Sequence, residues 1–169
     1  DYVLYKFREA NRNIDARPMK QFKRLKNNDM VIALSSASCV KSNVPDTLLG
    51  RLTKAESFVI YKKDKKSPLW IIGKDESGLL YAAQQIIAEN FYQNVEKVSL
   101  ADGPEMVLRG TSIGLQKTVY LPGRDVYEYP YTEESFPWFY DESHWVKYLD
   151  MMEENRYNTL YLWNGHPFS

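Results

Sequence analysis

A single cysteine, Cys39, stands among 169 residues, which excludes an internal disulfide framework and a cysteine-based zinc site and says little about compartment. Cys39 itself reads as a small apolar residue of the core. Net charge is lacking as well. The 22 Lys and Arg balance 22 Asp and Glu, so no overall field draws the chain to nucleic acid or to an anionic membrane. No run approaches the roughly 18 apolar residues that a membrane span needs. The opening, DYVLYKFREANRNID, lacks both an initiator Met and the basic-then-apolar order of a signal peptide, so a processed or trimmed terminus is expected. His144 and His166 are the only histidines and lie far apart, which gives no metal-ligand spacing. GTSIG lacks the Lys and following Ser or Thr of a phosphate loop, and no cofactor is expected.

Apolar residues are plentiful. They make up 44% of the chain, enough for a real core and too many for a disordered polymer. Tyr, Phe and Trp amount to 14%, and many of them crowd into one segment before Tyr140. Along the chain, YVLYKF reads as a β-branched and aromatic strand, and RPMKQFKRLKNNDM as a short basic helix ending at Asn27 and Asn28. MVIALSSASCV reads as a buried strand. ESFVIYKKD and SPLWIIGKD flank a polar tip holding Lys62, Lys63, Lys65 and Lys66, the pattern of a β-hairpin whose charged turn guards an edge. Asp75 caps an amphipathic helix bearing Leu79, Ala82, Ala83, Ile86, Ile87 and Phe91. Asp102, Gly103 and Pro104 then mark a linker.

Beyond the linker, MVLRGTSIGLQ is an apolar strand, followed by an aromatic, Pro-containing loop over Lys117 to Tyr140. Asp141 caps a second helix with Trp145, Tyr148, Leu149 and Met152 as its buried face. NTLYLW follows as a strand with the near-continuous apolar run of one buried on both faces. One strand, a helix and a second parallel strand leave sheet edges bare and bury little. The expected architecture is therefore an α+β domain over residues 1–103, a mixed sheet with helices on one face, and an incomplete (β/α)8 barrel opening over residues 104–169.

PLWIIGKDESGLLYAAQQIIAE resembles the strand, Gly-turn and helix that end the small α+β domain of bacterial β-hexosaminidases and α-glucuronidases. VLRGTSIGL, with DESHWVKYLDMMEENRYNTLYLW after it, resembles the first strand, first helix and second strand of their barrels. The resemblance implies a bacterial glycoside hydrolase, periplasmic or secreted, that degrades polysaccharides, with a non-catalytic accessory domain. It implies that Arg109, in the Arg-Gly pair of the first barrel strand, binds sugar hydroxyls. The family's catalytic acid pair lies on a fourth barrel strand that this chain does not contain, so this piece is expected to be inactive alone. Where the hexosaminidases carry a His-rich, acidic segment after the second strand, this chain has WNGHPF.

From the residues themselves, sugar contact falls to the rim of the barrel at the C-terminal ends of its strands. Flat aromatic walls suit the apolar C–H faces of sugars. Trp138 in the aromatic loop, Gln116 and Lys117 after the first strand, and Trp163, Asn164 and His166 after the second are the candidate contacts. Arg109, at the start of its strand, could instead form an ion pair beneath the barrel. The aromatic residues could equally pack the loop down. Glu133, Glu134, Asp141 and Glu142 read as loop or cap carboxylates rather than a catalytic pair. The expected partners are an oligo- or polysaccharide and the rest of the barrel. A free-standing carbohydrate-binding or protein-interaction module is the rival reading. Nucleic-acid binding through Lys20, Lys23, Arg24 and Lys26 is disfavoured by the neutral charge balance.

Overall fold

The structure, a computed structural model, describes residues 2–10, 16, 25–91, 95–114, 118–121, 124–127, 133–134 and 136–163. Residues 2, 118–121, 124–127 and 163 are described as backbone only. The chain divides into two compact units, Asp1–Glu105 and Met106–Ser169.

Unit 1 holds helix α1 (Tyr2–Ala10), strand β1 (Met30–Leu34), a single helical turn α2 (Asp46–Leu49), strands β2 (Phe58–Lys62) and β3 (Leu69–Gly73), helix α3 (Glu76–Ala88) and strand β4 (Val98–Asp102). The four strands form one mixed sheet in the order β1-β3-β2-β4. β1 runs parallel to β3, and β2 is antiparallel to both β3 and β4. The expected hairpin is there, with Phe58 opposite Gly73 and Tyr61 opposite Trp70.

Alternation along each strand sorts the apolar residues onto two faces. Phe58, Ile60, Leu69 and Ile71 pack against Phe7 of α1 and Tyr81, Ala82, Ala83 and Ile86 of α3. Val31, Val59, Trp70 and Ile72 pack on the other side against Val40, Val44, Leu48 and Leu52. The expectation of helices on one face therefore needs correction. α2 and the segment before it cover the second face, because β3 is apolar at every position and buries both of its sides.

The reading of YVLYKF as a strand is also corrected, since it lies in α1. Phe7 is buried and Val3, four residues before it, packs on the same cluster, while Tyr5 Oη donates to Glu9 Oε1 at 2.6 Å. A buried stripe at helical spacing overrides the β preference of Val and Tyr. Residues 17–24 of the basic helix, with Lys20, Lys23 and Arg24, lie outside the described residues. Cys39 is half-buried against the second cluster rather than buried.

Asp75 caps α3 as expected, its Oδ1 accepting from Gly78 N at 2.9 Å. Its Oδ2 accepts from the backbone N of Glu56 at 2.8 Å, in a turn where Glu56 takes φ of 63°. α3 lies so close to this turn that a Cβ on Gly78 would collide with the Ser57 carbonyl oxygen. That approach explains a glycine inside a helix, where it costs about 1 kcal/mol relative to Ala.

Unit 2 holds strands β5 (Gly110–Gly114), β6 (Thr118–Leu121) and β7 (Arg124–Tyr127), a 3-10 turn (Pro137–Phe139), helix α4 (Glu142–Glu154) and strand β8 (Thr159–Trp163). β5 and β8 pair in parallel from Gly110–Thr159 to Gly114–Trp163. β6 and β7 form a separate antiparallel hairpin, so the segment read as a loop contains paired strands. Val119 and Val126, β-branched and opposite each other, suit that pairing. Asp141 caps α4 through Ser143 N at 2.9 Å.

Two burial expectations fail in unit 2. Met152 is buried and Trp145 and Tyr148 half-buried, but Leu149 is 50% exposed. β8 is not covered on both faces, with Tyr161 61% and Leu162 41% exposed. Among the described residues β8 has one sheet neighbour, β5, so its apolar sequence meets too few partners to be buried.

Candidate functional site

Parallel pairing of β5 and β8 gives unit 2 two chemically different ends. At the N-terminal end, Arg109 donates from Nε to the Arg156 carbonyl at 2.9 Å and from Nη1 to the Met106 carbonyl at 2.7 Å. Its backbone N donates to Asn158 Oδ1 at 2.9 Å, and Asn158 Nδ2 donates to the Val107 carbonyl at 2.8 Å. The Arg109 carbonyl accepts from Asn158 N and Thr159 N. Arg156 takes φ of 59°, the left-handed conformation that turns the chain from α4 into β8. Gly110 follows because a Cβ there would run into the Thr159 carbonyl oxygen. The Arg-Gly pair thus fastens two strand starts together, and its guanidinium is engaged by backbone carbonyls.

At the opposite end the 3-10 turn and the start of α4 gather rings. Trp138 lies 5.5 Å from His144 and 6.1 Å from Trp145, centroid to centroid. His144 stacks on Tyr148 at 6.1 Å with an 18° angle between planes, as i and i+4 residues of one helix face do. Trp145 Nε1 donates to the Phe139 carbonyl at 2.6 Å, and Tyr148 Oη donates to Thr111 Oγ1 at 3.1 Å, tying α4 to β5. Phe136, just before the 3-10 turn, is buried, while Tyr140 is 49% exposed. Trp138 and His144 are half-buried, so part of each ring stays accessible, and aromatic faces of this kind suit the C–H groups of a sugar ring.

Asp141 sits at this end as an exposed cap. A hydrogen bond from the Ser143 side chain, joined by backbone N–H groups of His144 and Ser143, holds its carboxyl below the ordinary carboxylate value against a smaller desolvation effect. A glycosidic general acid needs the reverse, a carboxyl kept protonated near neutrality. Asp141 is an ionised helix cap. Glu133, Glu134 and Glu142 are exposed.

Of the candidate contacts, Trp138 belongs to the ring cluster and Arg109 lies at the other end of the strands. Trp163 ends β8 opposite Gly114, its side chain undescribed. Gln116, Lys117, Asn164 and His166 lie outside the described residues. His144 was missed as a member of the cluster; its four-residue spacing from Tyr148 and nearness to Trp138 in sequence were the signal for it. Among the described residues no group of three or more His, Cys, Asp or Glu could hold a metal ion, and no helix is long and apolar enough to cross a membrane.

No protein-family model matches the chain, and no curated protein does. Among solved structures, a GH138 enzyme targeting pectin rhamnogalacturonan II matches 98% of this chain at 39% identity with a TM-score of 0.65. The match covers 22% of that enzyme, so the chain spans about a fifth of its length. This supports a glycoside hydrolase fragment and singles out neither the hexosaminidases nor the α-glucuronidases; over nearly its whole length the chain is similar to a segment of a GH138 glycoside hydrolase.

Proposed function

We propose that this chain is part of a glycoside hydrolase acting on a pectic polysaccharide, with unit 1 as its accessory α+β domain and unit 2 as the opening of a (β/α)8 catalytic barrel. The observation that carries the reading is the 39% identity held over 98% of the chain. The parallel β5–α4–β8 arrangement, with Tyr161 and Leu162 left uncovered, supports the barrel. A parallel strand pair is stable when neighbours cover both faces. The accessory-domain-then-barrel order resembles that of hexosaminidases and α-glucuronidases, and the likeness is one of architecture.

In a barrel the site forms at the C-terminal ends of the strands. Trp138 and its ring neighbours would stack on the sugar there, and Gln116, Lys117, Trp163, Asn164 and His166, which follow the two strands in sequence, would contact it. Arg109, at the other end, clamps the strands. Glycosidic cleavage needs two carboxyl groups about 5 to 10 Å apart, one protonated and one ionised, and this pair comes from elsewhere in the barrel. A polymeric cell-wall substrate calls for export, hence a periplasmic or secreted enzyme.

The test compares the 169-residue chain with the longer protein that contains it. The longer protein should release reducing sugar from rhamnogalacturonan II while this chain releases none. Turnover of aryl glycosides by the chain alone at enzyme-like rates overturns the assignment. Saturable, tight glycan binding by the isolated chain, read by Trp fluorescence, with an inert longer protein would instead mark a free-standing binding module.

A further inference from the structure

Unit 1 carries a cleft outside the ring cluster. It has a volume of about 270 Å³ and is walled by Asn27, Asn28, Asp29 and Lys62 with the apolar Leu69 and Phe91. Lys62 Nζ reaches across it to the Asn27 carbonyl at 3.3 Å. The turn at Asn27–Asn28 is held by Asp29, whose Oδ2 accepts from Lys26 N at 2.7 Å. The cleft opens beside the β2–β3 tip, because Lys62 is the last residue of β2 and pairs with Val98 at the start of β4. Lys62 and Asp29 line it; within one to four residues of the lining positions in sequence come Lys26, Lys63, Lys65, Lys66 and Lys97, against Asp64, Glu89 and Glu96. In a chain whose total charge is zero, this end of unit 1 is locally positive.

The negative groups here are already engaged. Asp64 Oδ1 accepts from Lys66 N at 2.9 Å and Ser67 Oγ at 2.8 Å. Glu96 pairs with Lys65 at 3.1 Å, both side chains being largely exposed, and such a pair exchanges readily with other anions. Another cleft of unit 1, about 170 Å³, is different. There Lys54 already bonds the Pro104 carbonyl and pairs with Glu105, and Arg51 faces a wall that includes Asp102.

We infer that the Asn27–Lys62–Phe91 cleft and the lysine tip beside it form a secondary binding site for uronic-acid residues of an acidic polysaccharide. The chemistry matches group by group. The Lys62 ammonium takes the sugar carboxylate and the Asn27 and Asn28 amides take ring hydroxyls, while Phe91, packed against the core, closes one wall of the cleft. Lys63, Lys65 and Lys66 meet the next charges along the polymer, as an extended anion requires. The inference rests on the proposed pectic substrate, since pectins are rich in uronates. Its role would be to hold the polymer to the enzyme away from the reacting bond, which raises local substrate concentration.

The test titrates trigalacturonate, and neutral galactotriose as control, into the 169-residue chain by calorimetry or by chemical-shift changes of the unit 1 amides. Trigalacturonate should bind saturably and galactotriose much more weakly. Raising ionic strength from 0.01 to 0.15 M, which shortens the Debye length from about 30 to about 8 Å, should weaken the acidic ligand several-fold. Lys62→Gln and, separately, Lys65→Gln should each weaken it about three- to fivefold. The exposed Lys65 variant carries the test if Lys62→Gln perturbs the fold. Equal binding of the two sugars, no saturable binding, or unchanged affinity in a folded variant overturns the inference. Hydrolysis of pectic oligomers by the longer protein, with no uronate binding to unit 1, would sink the site and leave the proposed function standing; binding here with an inert longer protein would do the reverse.

Discussion

Replacing Arg109 by Met tests whether the Arg-Gly pair is a strand clamp or a sugar ligand. Met keeps most of the aliphatic stem and removes the guanidinium, so the packing of the stem is largely retained. Two bonds disappear, Nε to the half-buried Arg156 carbonyl and Nη1 to the exposed Met106 carbonyl. A hydrogen bond with a charged partner is worth about 1.5 to 3 kcal/mol when buried. Water discounts the exposed one heavily, leaving about 2 kcal/mol for the pair. Small domains gain about 0.05 to 0.15 kcal/mol of stability per residue, so unit 2 loses a large part of its reserve. A melting shift of about 8 to 16 °C follows for a domain of this size. Near-ultraviolet circular dichroism reads it, because Trp138, Trp145 and Trp163 belong to unit 2 and Trp70 to unit 1. Arg109→Lys should recover less than half, since an ammonium cannot span both carbonyls as the planar fork does. A melting shift below about 2 °C, joined to weakened glycan affinity in the longer protein, would refute the clamp.

Asp75→Ala removes two acceptors at once, a helix cap and the partner of Glu56 N, and should cost about 2 to 4 kcal/mol in urea unfolding, whereas Asp75→Asn, able to accept only one of the two bonds, should cost about half as much. Gly110→Ala should break the β5–β8 pairing, seen as lost amide protection in residues 110–114 and 159–163, while leaving unit 1 protected. The depressed Asp141 carboxyl contributes to stability above its unfolded value of about 3.9 and loses that contribution as pH falls through the lower folded value. The melting temperatures of the parent and Asp141→Ala should therefore differ at pH 7 and converge on acidification below about pH 4.

Legibility from sequence followed how local the determining forces were. The β2–β3 hairpin and the Asp75 and Asp141 caps were readable because turn composition and capping chemistry act within a few residues. α1 was misread because its composition favours a strand, and the burial of Phe7 that decides the matter comes from a helix about 75 residues later in sequence. Cover on the second sheet face was missed because α2 is one turn long and shows no helical period. Within the candidate site, Trp138 was picked out by composition alone. His144 was passed over: its four-residue spacing from Tyr148 was legible, but the contact of its ring with Trp138 depends on the geometry of the 3-10 turn.

Asn158 has a consequence for how unit 2 assembles. Its side-chain amide gives to Val107 and receives from Arg109, two residues apart, as a backbone peptide of a neighbouring strand would. A side chain thereby supplies one more rung below the last peptide-to-peptide rung. Sliding β8 by two residues, the smallest slip that keeps each side chain on its own face, would strand both of those bonds and drive bulk into Gly110. The alignment of the pair is thus written into Asn158 and the four-residue stretch 107–110 that it meets.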